Sequence, residues 1–143
     1  MSRFSDASRA PLYFAYGSNM DEGQMRSRVP RALKLDVAFL PDHEFIFSGY
    51  SRTWNGSVAN VKPKRGSTVA GVVYELPPGG LLKLDRFEGY PTSYQRKSRL
   101  VRLRSGGQVS AVLYYKRQTS ADAPPNPVYV RRILAALKAH GIQ

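Results

Sequence analysis

The order of strand-like runs is what most restricts the fold of this chain. Residues 12–16, 33–40, 44–50, 57–61, 69–76, 94–104 and 109–117 are short and carry many β-branched and aromatic side chains, the composition of pleated, half-buried strands. Most follow one another through brief turns, at Pro41-Asp42, Asn55-Gly56 and Ser105-Gly106-Gly107. Helical patterns are fewer. Residues 21–28 begin with acid and end with arginine before Pro30, which matches the helix dipole. Residues 81–88 follow the Pro77-Pro78-Gly79-Gly80 break and end at Gly89. After the Pro-rich turn 124–127, Val130, Ile133, Leu134 and Leu137 mark the apolar stripe of a last helix, with Arg131, Arg132 and Lys138 toward water and Gly141 at its end. The regular strand–helix alternation of a doubly wound parallel sheet is missing. The expectation is an α+β fold: a small mixed, mostly antiparallel β-barrel with flanking helices.

The chain has 143 residues, 42% of them hydrophobic, enough for one domain with a real core. Residues 1–10 are polar and lack the apolar centre of a signal peptide, so they read as a flexible arm before a single domain spanning 11–143. No apolar run approaches the roughly 20 residues of a membrane helix, and the expected location is the cytoplasm. Cysteine is absent, which excludes disulfides, a thiol nucleophile and cysteine-ligated metal. His43 and His140 lie far apart without neighbours at metal spacing and read as surface histidines; no metal or other cofactor is expected. The formal charge of +12 suits an acidic partner. Its densest group is Arg96, Lys97, Arg99, Arg102 and Arg104. These fall on one strand, whose alternation sends them to both faces, and no RNA-binding aromatic signature accompanies them. A solvated basic surface is therefore preferred to a nucleic-acid site. Such a surface can still concentrate an anionic metabolite near a cleft.

Two places invite chemistry. The first strand runs through Tyr13-Phe14-Ala15-Tyr16 and stops at Gly17-Ser18-Asn19. Gly17 allows a positive φ, and Ser18 or Asn19 can cap the next helix. Backbone N–H groups left free at such a turn cradle a carboxylate or oxyanion. The second place is Glu88. At about 100° per residue, Leu81, Leu84 and Glu88 share one stripe of their helix, so this carboxylate projects with the apolar face, in the last turn. Burial and the helix dipole both raise its pKa, as a general acid–base residue requires. On periodicity alone, a buried structural glutamate paired with an arginine such as Arg96 fits slightly better.

At these residues the chain resembles the γ-glutamylcyclotransferase family. The likeness runs from Leu12 to Ile142. It is carried by Tyr13-Phe14-Ala15-Tyr16-Gly17-Ser18-Asn19-Met20, by 69–76, by Leu84-Asp85-Arg86-Phe87-Glu88-Gly89-Tyr90 with Tyr94, and by Ala123-Pro124-Pro125-Asn126-Pro127 with Tyr129. The resemblance implies a small barrel and a cofactor-free reaction in which a γ-glutamyl group closes to 5-oxoproline and releases an amino acid or amine, a step of glutathione metabolism. It implies that Glu88 moves the protons, that Tyr16, Gly17, Ser18 and Asn19 hold the γ-glutamyl group, and that Tyr94 and Tyr129 stand near the pocket. Core packing is the competing reading of both tyrosines. Asn60 either bonds the substrate carboxylate or ties down a strand end.

The expected partner is thus a small γ-glutamyl substrate, with neither nucleic acid nor membrane. Two other readings remain: removal of a γ-glutamyl group from a specialised amine, and a non-catalytic anion- or RNA-binding module on the same fold. Only Gly141-Ile142-Gln143 follow the last helix, where family members often continue with an apolar-aromatic tail, so the resemblance leaves the substrate range open. Nothing in the sequence marks an oligomer interface.

Overall fold

The computed structural model describes residues 10–142; the arm assigned to 1–10 lies outside the described residues apart from Ala10. The strands are β1 (Leu12–Ala15), β2 (Leu33–Ser51), β3 (Gly56–Glu75), β4 (Gln95–Leu103) and β5 (Gln108–Tyr115). The helices are α1 (Glu22–Arg28), α2 (Gly80–Glu88) and α3 (Pro127–Ala139). The strands close into a barrel in the order β1-β3-β2-β4-β5. β1 and β5 run parallel, in register at Tyr13 and Val112; the other pairs are antiparallel. This is the mixed, mostly antiparallel barrel expected from the turn spacing.

Residues 33–40 and 44–50 are not separate strands but halves of β2, and 57–61 and 69–76 are halves of β3. Pro41-Asp42 is a bulge rather than a turn. The register steps from Pro41 opposite Thr68 to His43 opposite Pro63, so β3 carries its own irregularity there. Asp42 takes a φ of 58° and its carboxylate accepts the Gly66 N–H at 2.9 Å. Aspartate tolerates the left-handed region and proline has no N–H to give to a ladder, so the pair bends the strand without reversing it.

The barrel interior is filled by Phe14, Leu40, Val73 and Leu113, all essentially inaccessible to solvent, whereas Val72 faces the other side of the sheet. Gly71 lets β1 approach: a Cβ there would lie 2.4 Å from the Ala15 carbonyl oxygen. Both histidines are buried, not at the surface. A ring nitrogen of each meets a backbone carbonyl, His43 Nδ1 at Pro41 (2.9 Å) and His140 Nε2 at Met20 (2.6 Å), which compensates their removal from water. In α3 the buried positions are Tyr129, Ile133 and Ala136, whereas Leu134 is exposed. The helix is rotated so that its inward stripe starts at Tyr129, not Val130. Arg132, still part-exposed, donates to the Asp21 carboxylate at 3.0 Å.

Candidate active site

The site begins where β1 ends. Ser18–Met20 form one 3-10 turn, in which Met20 N–H donates to the Gly17 carbonyl and Asp21 N–H to that of Ser18, both at 3.0 Å. The first two N–H groups of such a turn have no partner inside it, and those of Ser18 and Asn19 meet no acceptor among the described residues. The turn is anchored from several sides. Tyr74 Oη donates to the Asn19 carbonyl at 3.0 Å. The Asn19 side chain donates to Tyr13 Oη (3.0 Å) and accepts from Gln24 Nε2 (3.0 Å) and Arg28 Nη1 (3.2 Å). Gln24 Nε2 also reaches Ser18 Oγ at 2.7 Å.

Two expectations about this turn change. Gly17 has φ −113°, outside the left-handed region; what crowds a side chain there is space, since a Cβ would stand 3.1 Å from the Ala59 Cβ. The residue capping α1 is Asp21, whose carboxylate accepts from Gly23 N–H at 3.1 Å, rather than Ser18 or Asn19. An aspartate three residues on competes successfully for the helix start and leaves the turn's own N–H groups unspent.

Glu88 is the last residue of α2, which Gly89 closes in a left-handed conformation (φ 66°). Leu84, one turn earlier, is fully buried and fixes the inward face. The Glu88 side chain is only 14% exposed. Burial pushes its pKa from the ordinary 4.5 to about 7, against the pull of the Arg28 and Lys116 cations. Arg28 Nη1 stands 3.7 Å from Glu88 Oε2. Arg96 does not pair with Glu88: it binds the carboxylate of Asp85, which also accepts from Tyr114 Oη at 2.7 Å. Asp85 and Glu88 leave the same helix in different directions, so each has its own cation.

Tyr94 and Tyr129 bracket the backbone of Ala59. Tyr94 Oη donates to the Ala59 carbonyl at 2.7 Å, and Tyr129 Oη accepts the Ala59 N–H at 2.8 Å. Tyr129 therefore keeps its hydroxyl proton to give, while Tyr94 presents lone pairs. Burial raises the pKa of both phenols, which keeps them neutral. Tyr16 Oη donates to the Tyr114 carbonyl. Asn60 is apart. Fully buried, it donates to the Lys116 and Gln118 carbonyls at 3.0 and 3.2 Å and accepts from Lys116 N–H at 2.8 Å. It ties the end of β5 to β3 and does not line the hollow.

Tyr16, Gly17, Ser18, Asn19, Glu88, Tyr94 and Tyr129 all line one hollow of about 40 Å³, together with Tyr13, Ala59 and Tyr114. Ser18, Glu88, Tyr94 and Tyr129 also border a wider cleft of about 380 Å³, so the hollow opens into it past Glu88. Tyr13, Tyr114, Gln24 and Arg28 join the site beyond the residues expected from the sequence. For the last two a signal existed: they stand four residues apart and so share a face of α1.

The protein is thus a small closed barrel with a hollow at the end of β1, walled by a buried carboxylate whose pKa is raised toward neutrality. Residues 13–131 match the family described as gamma-glutamyl cyclotransferase, AIG2-like, and the chain belongs to that family. The gamma-glutamylcyclotransferase of Bos taurus is 30% identical over 135 residues, which cover 92% of this chain and 72% of that protein. That of Homo sapiens is 32% identical over the same coverage. A solved structure described as gamma-glutamyl cyclotransferase superposes with a TM-score of 0.84 at 30% identity, over 92% of this chain and 80% of the other. A yeast structure described as a cyclotransferase specific to glutathione shares the fold, with a TM-score of 0.66 at 12% identity over 94% and 90% of the two chains.

Proposed function

We propose that this chain closes a γ-glutamyl group to 5-oxoproline and releases an amino acid or amine, with Glu88 as the proton-transfer residue. The observation that carries this reading is Glu88 itself: a carboxylate held at a pKa of about 7 on the wall shared by the hollow and the cleft. The γ-glutamyl group occupies the hollow, and the leaving group extends into the cleft.

The substrate's α-nitrogen attacks its own γ-carbonyl carbon. One C–N bond forms to close the ring, and the C–N bond to the leaving group breaks. Over the reaction the α-ammonium gives up two protons and the leaving nitrogen gains two, so a single carboxylate can take and return each in turn. A pKa near the working pH makes both directions accessible. The Ser18 and Asn19 N–H groups are suited to the oxyanion that develops on the γ-carbonyl, each worth roughly 3 kcal/mol in the transition state. The Tyr129 hydroxyl is suited to donate to a substrate carboxylate. Folding the flexible γ-glutamyl chain back on itself is the rest of the catalysis, because the attack is already intramolecular. A cytoplasmic setting and a part in glutathione turnover belong to the same proposal.

The test is release of 5-oxoproline from γ-glutamyl-alanine by the purified chain and by Glu88→Gln. The isosteric amide keeps the packing and cannot accept the proton, so turnover is expected to fall by about two or more powers of ten. Undiminished turnover in the variant would remove Glu88 from the mechanism.

A further inference from the structure

The cleft beyond Glu88 carries a charge imbalance that ring closure does not require. Arg28 of α1, Arg52 of the β2–β3 turn, Arg86 of α2 and Lys116 after β5 all line it, and Glu88 is the one carboxylate among its lining residues. Two of these cations are occupied. Arg28 faces Glu88 and Asn19. Lys116 Nζ donates to the Ser93 carbonyl at 3.1 Å and lies 4.5 Å from the Tyr94 ring centre. Arg52 and Arg86 form no ion pair among the described residues. The turn that carries Arg52 is held in place. Asn126 Nδ2 donates to the Trp54 carbonyl at 2.8 Å, and Tyr50 Oη to the Asn55 side-chain oxygen at 2.7 Å. Trp54 packs 4.8 Å from the Tyr129 ring, which fixes the turn against the mouth of the hollow.

We infer that this cleft selects a leaving amino acid carrying two carboxylates, as in γ-glutamyl-glutamate or γ-glutamyl-aspartate, with its α-carboxylate and side-chain carboxylate taken by Arg52 and Arg86. The inference rests on the function proposed above, because it assigns the leaving group to this cleft. Guanidinium groups match carboxylates in shape as well as charge. A leaving group with its own ammonium, such as lysine or a polyamine, instead adds a cation to a cleft that already holds four.

The experiment compares 5-oxoproline release by the full chain from γ-glutamyl-glutamate, γ-glutamyl-glutamine and γ-glutamyl-lysine. Glutamate and glutamine differ in charge and hardly in shape. At low ionic strength kcat/KM for the glutamate substrate is expected to exceed that for glutamine by about fivefold, the size of one or two screened ion pairs, with lysine lowest. The advantage shrinks as salt is added. In Arg52→Gln/Arg86→Gln the glutamate-to-glutamine ratio falls toward one through KM. Arg52→Lys/Arg86→Lys, which keeps the charges, retains most of the preference and separates charge from any loss of folding. A wild-type ratio at or below one overturns the inference while leaving the proposed reaction standing, as does a preference that survives in Arg52→Gln/Arg86→Gln. No 5-oxoproline from any of the three substrates removes both.

Discussion

At the scale of single residues, the ionisation of Glu88 is a contest between burial, which raises its pKa, and the cations of Arg28 and Lys116, which lower it. Burial wins, and the group titrates near neutrality. The free enzyme needs the carboxylate to accept the first proton. Protonation therefore disables it below the pKa, and kcat/KM is expected to fall about tenfold per pH unit on the acid side of a limb near 7. Removing a cation that favours the charged form moves that limb upward. Arg28→Gln should raise it by about one unit, read from the pH profile of kcat/KM with γ-glutamyl-alanine. A limb that stays put, or moves down, would mean that Arg28 does not act on the carboxylate. The inward placement of Glu88 was legible because the helical period is local: Leu84 and Glu88 lie one turn apart, and Gly89 marks the end. Its partner was not legible. Arg28 comes from a helix far upstream, and no short-range pattern links the two; Arg96, much nearer in sequence, is held by Asp85 instead.

At the scale of elements, the hollow depends on segments that meet at one residue. The residue preceding β4 brings Tyr94, the third position of α3 brings Tyr129, and both bond to Ala59 in β3. Tyr129→Phe keeps the ring against Trp54 and removes only the oxygen. The buried Ala59 N–H then loses its acceptor, which costs about 1–3 kcal/mol. That cost should appear as a lower denaturant midpoint with an unchanged slope; an unchanged midpoint would show that water replaces the phenol. The elements themselves were readable to different degrees. Turn residues at 105–107 and 77–80 ended strands as their chemistry requires. Pro41-Asp42 misled because the same residues that make a turn also make a bulge. The outcome was decided by the register with β3, which lies outside any local window. Asn60 shows the same limit, because its bonds go to residues near 116.

At the scale of the whole molecule, the positive charge is spread around the barrel rather than gathered in one stripe. Arg96 lies 4.4 Å from the Tyr90 ring centre, Lys97 lies 4.8 Å from that of Tyr115, and Arg104 donates to the carbonyls that end α3. Each of these cations is engaged at a different place, whereas Arg52 and Arg86, which form no ion pair among the described residues, converge on the cleft beside Glu88. Closure of the barrel keeps that convergence in register, because β1 must lie tightly on β3 for its end to deliver the turn to Glu88. Gly71 of β3 lies hard against β1. An alanine there sets a Cβ 2.4 Å from the Ala15 carbonyl oxygen and 2.7 Å from the Phe14 ring. The oxygen belongs to the backbone and cannot rotate away, so β1 has to move as a unit. Gly71→Ala should therefore cost about 3 kcal/mol, the upper range for an overpacked core, and lower Tm by roughly 10 °C for a chain of this size. Because β1 runs directly into Tyr16 and Gly17, turnover of the folded fraction should fall with it. A variant with wild-type Tm would show that β1 has slack against β3, and the hollow's geometry would then have to be held by the Asn19 and Tyr74 bonds alone.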